Sequence, residues 1–98
     1  MNIVKELNGD TLTLKVDGRL DTSTAPQLDE EVKAITDDIK NLVFDFKGLE
    51  YISSAGLRVL LSAQKMQSNK GKMVVKNIND DIKSIFDITG FLSILTIE

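Results

Sequence analysis

The stretch DFKGLEYISSAGL, residues 45–57, indicates more about the fold than any other part of the sequence. It begins inside an apolar run at 41–46, and such a run is typical of a central strand that is covered on both faces. The hydroxyls of Ser53 and Ser54 then precede leucines at helical spacing from Leu57 onward, which predicts a capped helix.

Two strands are predicted at the beginning of the chain. Ile3–Leu7 is the first, and Thr11–Val16, which alternates strictly between apolar and polar residues, is the second. Asn8–Asp10 between them is predicted to be a hairpin turn, because Asn and Gly tolerate positive φ. The following Gly18–Asp21 is predicted to be a loop or the end of the strand.

A first helix is predicted between the hairpin and the apolar run. The hydroxyl-rich segment Thr22–Thr24 precedes a proline, and proline is accepted in the first turn of a helix. The helix is expected to run to about Thr36. Its apolar stripe consists of Leu28, Val32 and Ile35. Residues 47–52 are expected to be the connection out of the strand at 41–46.

Two helices and two strands are predicted after Leu57. The helix that begins at the paired serines ends at Asn69–Gly71, and Lys72–Lys76 is a strand. Asn79–Asp80 caps a third helix, which Gly90 ends. Leu92–Ile97 is predicted to be a last short strand.

The resulting order is β-β-α-β-α-β-α-β, which indicates a single α/β domain over residues 1–98. Strands that alternate with helices imply right-handed crossovers and a mixed, mostly parallel β-sheet, to which the N-terminal β-hairpin adds an antiparallel element. A chain of 98 residues is long enough for one hydrophobic core and about three helices.

Composition excludes several classes of function. The chain has no cysteine and no histidine, so it has no thiolate metal site and no histidine base for a serine hydrolase. Its net charge of −3 disfavours nucleic acid as a partner, because binding to phosphates needs a basic patch. No apolar run is long enough for membrane insertion, and the first residues lack a signal-peptide layout, so the cytoplasm is the expected location.

The residue types around the paired serines leave two interpretations open. The hydroxyls of Ser53 and Ser54 can be plain caps, which is the commoner role of serine at such a position. Because a helix N-terminus favours negative charge, a phosphate on one of these serines would also be well placed. Gly56 has no side chain, so another molecule could approach the backbone of the first turn closely.

The stretch 45–57 resembles the signature of STAS domains, in particular that of the bacterial anti-sigma factor antagonists. Their signature is a strand, an acidic residue, a turn, then Asp-Ser-Ser-Gly-Leu or Asp-Ser-Ala-Gly-Leu and an apolar helix. Gly18–Asp21 resembles the Gly-Glu-Leu-Asp that follows the family's second strand. Lys72–Val75 and Ile85–Phe91 are similar to its last strand and to the helix that ends in Gly-Leu or Gly-Phe. The resemblance covers essentially the whole chain.

The resemblance implies a regulator and not an enzyme. In that family the unphosphorylated protein binds an anti-sigma factor, which is also an ATP-binding serine kinase with a histidine-kinase-like fold, and the sigma factor is released. Phosphorylation of one serine ends the binding, and a serine phosphatase reverses it. That serine corresponds to Ser54, which precedes Ala55-Gly56-Leu57. Ser53 stands where the family usually has aspartate, which makes it the alternative acceptor. ATP belongs to the kinase, so no cofactor is expected here.

The resemblance also implies a surface that binds the partner. Its residues are Asp21, Thr22, Ser53, Ser54, Ala55, Gly56 and Arg58. Asp21 is equally well explained as a turn or cap residue before the first helix. Arg58 is expected to be exposed on the second helix, where it is equally explained as a solvated surface residue, as most exposed arginines are. The alternative function is that of an accessory subunit of a lipid or anion transport system, which some STAS domains serve without phosphorylation.

Overall fold

The computed structural model describes residues 1–98, with five strands and four helices. The strands are β1 (Asn2–Asn8), β2 (Thr11–Leu20), β3 (Asn41–Asp45), β4 (Leu49–Ile52) and β5 (Lys72–Lys76). The helices are α1 (Ala25–Lys33), α2 (Ser54–Gln67), α3 (Asp80–Thr89) and α4 (Phe91–Ile94). None of the helices is both long and apolar enough to cross a membrane.

The sheet is mixed and mostly parallel, as the sequence predicts. β1 and β2 form an antiparallel hairpin, whose turn contains Gly9 at a φ of 63°. β2 pairs in parallel with β3, β3 pairs in parallel with β5, and β4 pairs in parallel with the last residues of β2. The carboxyl ends of β2 and β4 therefore lie side by side, directly before α1 and α2.

The sheet buries only one face, so the prediction that β3 is covered on both faces is wrong. Leu42 and Phe44 are fully buried, whereas Val43 between them is half-buried. On the face that Val43 shares, Asp45 lies in register with Lys15 of β2 and Lys76 of β5. Because Val43 is apolar, the sequence of β3 does not show the alternation of buried and half-buried residues that the structure has.

The segment 47–52, predicted to be only the connection out of the strand at 41–46, contains β4. The short strand forms because its backbone continues the parallel pairing of β2 beyond the end of β3, with Gly18 opposite Leu49 and Leu20 opposite Ile52. α1 ends at Lys33, three residues before the predicted Thr36.

The predicted last strand at Leu92–Ile97 is wrong as well. Gly90 adopts a φ of 82° and ends α3, as predicted, but the chain then turns into α4. Phe91 stacks against Phe86 with ring centroids 6.3 Å apart, which holds α4 against α3. Only the last three residues reach the sheet. Ile97 forms a single parallel bridge with Val75, in which Val75 N donates to the carbonyl of Thr96 and Glu98 N donates to the carbonyl of Val75.

One hydrophobic core holds the helices on the buried face. α1 contributes Leu28 and Val32, as its predicted stripe requires, and α3 contributes Ile82 and Phe86. Asn79 caps α3, and its Oδ1 accepts a hydrogen bond from Ile82 N at 2.8 Å. Leu57 and Leu60 of α2 belong to the same core, which fixes the first turns of α1 and α2 next to each other.

Candidate functional site

The two serines at the start of α2 have different environments. Ser53 is the N-cap, and its Oγ accepts a hydrogen bond from Gly56 N at 3.5 Å. Its backbone N donates to the carbonyl of Leu20 at 2.8 Å, which ties the start of α2 to the end of β2. Ser54 is the first helical residue, is exposed, and makes no side-chain hydrogen bond. Its hydroxyl is therefore free to react or to be contacted.

Gly56 is buried and faces the sheet. A Cβ at this position would lie 2.7 Å from Leu20 Cγ and 2.8 Å from Ile52 Cγ1. The missing side chain therefore lets the first turn of α2 pack on the ends of β2 and β4. The expectation that it leaves room for another molecule is wrong, because the protein's own side chains fill that space.

Asp21 organises the loop that leads into α1. Its Oδ1 accepts hydrogen bonds from Ser23 N at 3.0 Å, Ser23 Oγ at 2.8 Å and Thr24 N at 3.2 Å. These contacts, above all the one from the Ser23 hydroxyl, lower the pKa of Asp21 below its ordinary value. Asp21 is therefore a turn residue, and its Oδ2, which has no hydrogen bond, is held in a fixed position.

A groove of about 310 Å³ lies beside Ser54, between the start of α1 and the first turns of α2. Its lining residues are Thr22, Ala25, Pro26, Asp29, Ala55, Arg58 and Val59. We call it the α1–α2 groove. It brings together three residues of the predicted surface, Thr22, Ala55 and Arg58, and both Thr22 and Arg58 are exposed.

A second feature next to the serines was not predicted from the sequence. The guanidinium of Arg19, in β2, lies 4.4 Å from the ring centroid of Tyr51, in β4. The two residues are in register across the parallel pair, and Tyr51 immediately precedes Ile52, the last residue of β4. The residues next to Arg19 and Tyr51 in the sequence do not indicate this contact, because it forms only when β2 and β4 pair.

The different environments of the serines predict different effects on stability. Ser53→Ala removes the cap and is expected to lower the free energy of unfolding by about 0.5–1 kcal/mol. Ser54→Ala removes no contact and is expected to change it by less than about 0.5 kcal/mol. Urea denaturation of the two variants tests the assignment, and equal losses would contradict it.

Comparison of the sequence with known proteins identifies its relatives. A family model described as the STAS domain matches residues 2–98. BtrV of Bordetella bronchiseptica, provisionally assigned as an anti-sigma factor antagonist, is 38% identical over 82 residues, which are 82% of this chain and 71% of BtrV. The anti-sigma-B factor antagonist of Listeria monocytogenes is 32% identical over 104 residues, which cover 100% of this chain and 90% of that protein.

Solved structures share the fold. An anti-sigma factor antagonist from Mycobacterium paratuberculosis matches with a TM-score of 0.89 at 22% identity, over 98% of this chain and 83% of that one. SpoIIAA matches with a TM-score of 0.77 in its unphosphorylated form, at 14% identity over 99% of this chain and 87% of that one. The phosphorylated form of SpoIIAA also matches with a TM-score of 0.77, at 15% identity over 99% of this chain and 91% of that one. The anti-sigma factor antagonists are not enzymes. The chain belongs to the STAS-domain family, among the anti-sigma factor antagonists.

Proposed function

We propose that the chain is an anti-sigma factor antagonist that is switched by phosphorylation of Ser54. Unphosphorylated, it binds an anti-sigma factor that is also a serine kinase, and so releases the sigma factor in the cytoplasm. Transfer of phosphate from the kinase's ATP to Ser54 ends the binding, and a serine phosphatase restores it. The observation that carries the proposal is the exposed, unbonded hydroxyl of Ser54 at the N-terminus of α2.

Ser54 is the better acceptor because its neighbour is already engaged. The hydroxyl of Ser53 is half-buried and caps the helix through Gly56 N, so modification of Ser53 would disrupt that cap. The hydroxyl of Ser54 loses no hydrogen bond on phosphorylation. Its position at the first turn also favours the added negative charge.

The surface around Ser54 supports the binding half of the proposal. Asp21 and Thr22 precede α1, and Ala55 and Arg58 follow Ser54 on α2, so four of the proposed contacts lie on two adjacent helix starts. The free Oδ2 of Asp21 is a fixed acceptor for a donor group of the kinase. Gly56 is part of the surface only indirectly, since it seats α2 on the strands.

The experiment is phosphorylation by the anti-sigma serine kinase encoded in the same genome. The purified chain, Ser54→Ala and Ser53→Ala are incubated with kinase and ATP, and mass spectrometry locates the phosphate. We expect phosphate on Ser54 in the parent and in Ser53→Ala, and none on Ser54→Ala. Phosphate mainly on Ser53, or full labelling of Ser54→Ala, would overturn the assignment of the acceptor. Absence of both complex and labelling would overturn the proposed function.

A further inference from the structure

Neither arginine of the chain is neutralised by a carboxylate. Arg19 lies two residues before Asp21, on the sheet face opposite to that of Leu20, and Arg58 lies four residues after Ser54 on α2. The chain contains only Arg19 and Arg58, and its other basic residues are lysines. All four ion pairs in the structure are made by lysines. Arg19 and Arg58 are both exposed, and neither makes an ion pair or a side-chain hydrogen bond.

Arg19 is held in place by an aromatic ring. Its guanidinium lies 4.4 Å from the ring centroid of Tyr51, the only tyrosine of the chain, which remains 37% exposed. Stacking restricts the long side chain before any partner binds, so less conformational entropy is lost on association. Arginine and tyrosine are also the residue types that dominate binding energy at protein interfaces.

Arg58 lies one helical turn after Ser54, in the wall of the α1–α2 groove. The only carboxylate among the lining residues is that of Asp29, whose Oδ2 is paired with Lys33 Nζ at 2.8 Å. Arg58 thus brings a positive charge that has no ion-pair partner into a groove that is otherwise lined mostly by small and apolar side chains.

We infer that Arg19 and Arg58 each bind a carboxylate of the anti-sigma kinase. The inference rests on the proposed function and adds the chemistry of the partner. A guanidinium offers a planar set of donors that matches a carboxylate in two hydrogen bonds. In a domain with a net charge of −3, these two groups are exposed positive charges on an acidic molecule, and a kinase without acidic residues opposite them would leave both arginines unpaired at the interface.

The test measures the dissociation constant for the same purified kinase at two ionic strengths. Arg19→Ala and Arg58→Ala are each expected to weaken binding by about fivefold or more. The double variant is expected to show a smaller dependence of affinity on salt than the parent, because two charge pairs are removed. Arg19→Lys, which keeps the charge without the planar group, is expected to lie between the parent and Arg19→Ala.

Lys72→Ala is the matched control. Lys72 is exposed at the first residue of β5, in register with the first residue of β3, and so lies at the opposite end of the sheet from Ser54. Its removal changes the charge equally and should leave the affinity unchanged. If the arginine variants bind as the parent does, or if Arg58→Glu binds more tightly, the inference is overturned while the proposed function stands. A parent chain that binds no kinase would overturn both.

Discussion

Phosphorylation of Ser54 is expected to lower the affinity for the anti-sigma kinase at least tenfold and to leave the melting temperature unchanged or slightly raised. The added group carries about −1.5 to −2 charges near neutral pH. Ser54 is exposed and its hydroxyl has no partner, so the phosphate displaces no contact of the folded protein. At a helix N-terminus the charge contributes roughly 0.3–1 kcal/mol of stabilisation when it is exposed.

The expected loss of affinity arises at the surface around Ser54. The partner must accommodate a bulky dianion where a small hydroxyl stood, on the same end of the domain as the fixed carboxylate of Asp21. One helical turn further along α2, Arg58 is within reach of such a phosphate and would be neutralised by it. Repulsion and lost pairing that total about 1.4 kcal/mol are enough for a tenfold change in affinity.

Calorimetry and titration on matched phosphorylated and unphosphorylated samples test both halves of this expectation. Ser54→Glu is a graded control, because it adds about one charge and is expected to weaken binding less than phosphate does. A fall of many degrees in the melting temperature on phosphorylation would show that the switch works by local unfolding and not by a change of surface.

Gly71→Ala is expected to destabilise the domain by about 3 kcal/mol, which corresponds to a fall in Tm of roughly 12–24 °C. Gly71 lies between α2 and β5, and a Cβ on it would be 1.9 Å from the carbonyl oxygen of Lys40. That oxygen accepts a hydrogen bond from Lys72 N at 2.9 Å. The backbone must move to admit one methyl group, and the movement disturbs the junction of β3 with β5.

Gly48→Ala is the matched control for this prediction. A Cβ on Gly48 would be 2.0 Å from Oδ1 of Asp17, but Asp17 is exposed and its carboxylate can rotate away. We expect a loss of less than about 1 kcal/mol. Thermal denaturation of both variants tests this difference in stability, and similar melting temperatures would refute the role of the Lys40 carbonyl.

The sequence pattern predicts those parts of the fold whose signals are local. The alternation of Thr11–Val16, the cap at Asn79 and the stop at Gly90 each depend on a few neighbouring residues, and all three are confirmed. β4 and α4 were missed for the opposite reason. β4 exists because β2 extends far enough to pair with it, and α4 is held by the packing of Phe91 on Phe86.

The same distinction between local signals and long-range contacts applies to the candidate site. That the paired serines begin a helix is evident from the residues around them, but which of the two caps it depends on the backbone at Gly56. The burial of Gly56 depends on Leu20, which is distant in the chain, and so does the meeting of Arg19 with Tyr51. Such contacts carry no local pattern and become visible only in three dimensions.

The pairing of β2 with β4 also determines when the site assembles during folding. The β1–β2 hairpin needs only a two-residue turn and can form within about 1–10 μs. The β2–β4 pair joins residues roughly thirty positions apart, so a loop must close before any contact compensates for its entropy. Until β4 pairs with β2, Ser54 follows a strand that is not yet part of the sheet, and it is not held next to the Asp21 loop. Under the proposed function, a kinase that recognises the complete surface is therefore expected to bind only molecules that have finished folding, and a newly synthesised or partly unfolded chain is not expected to compete for it.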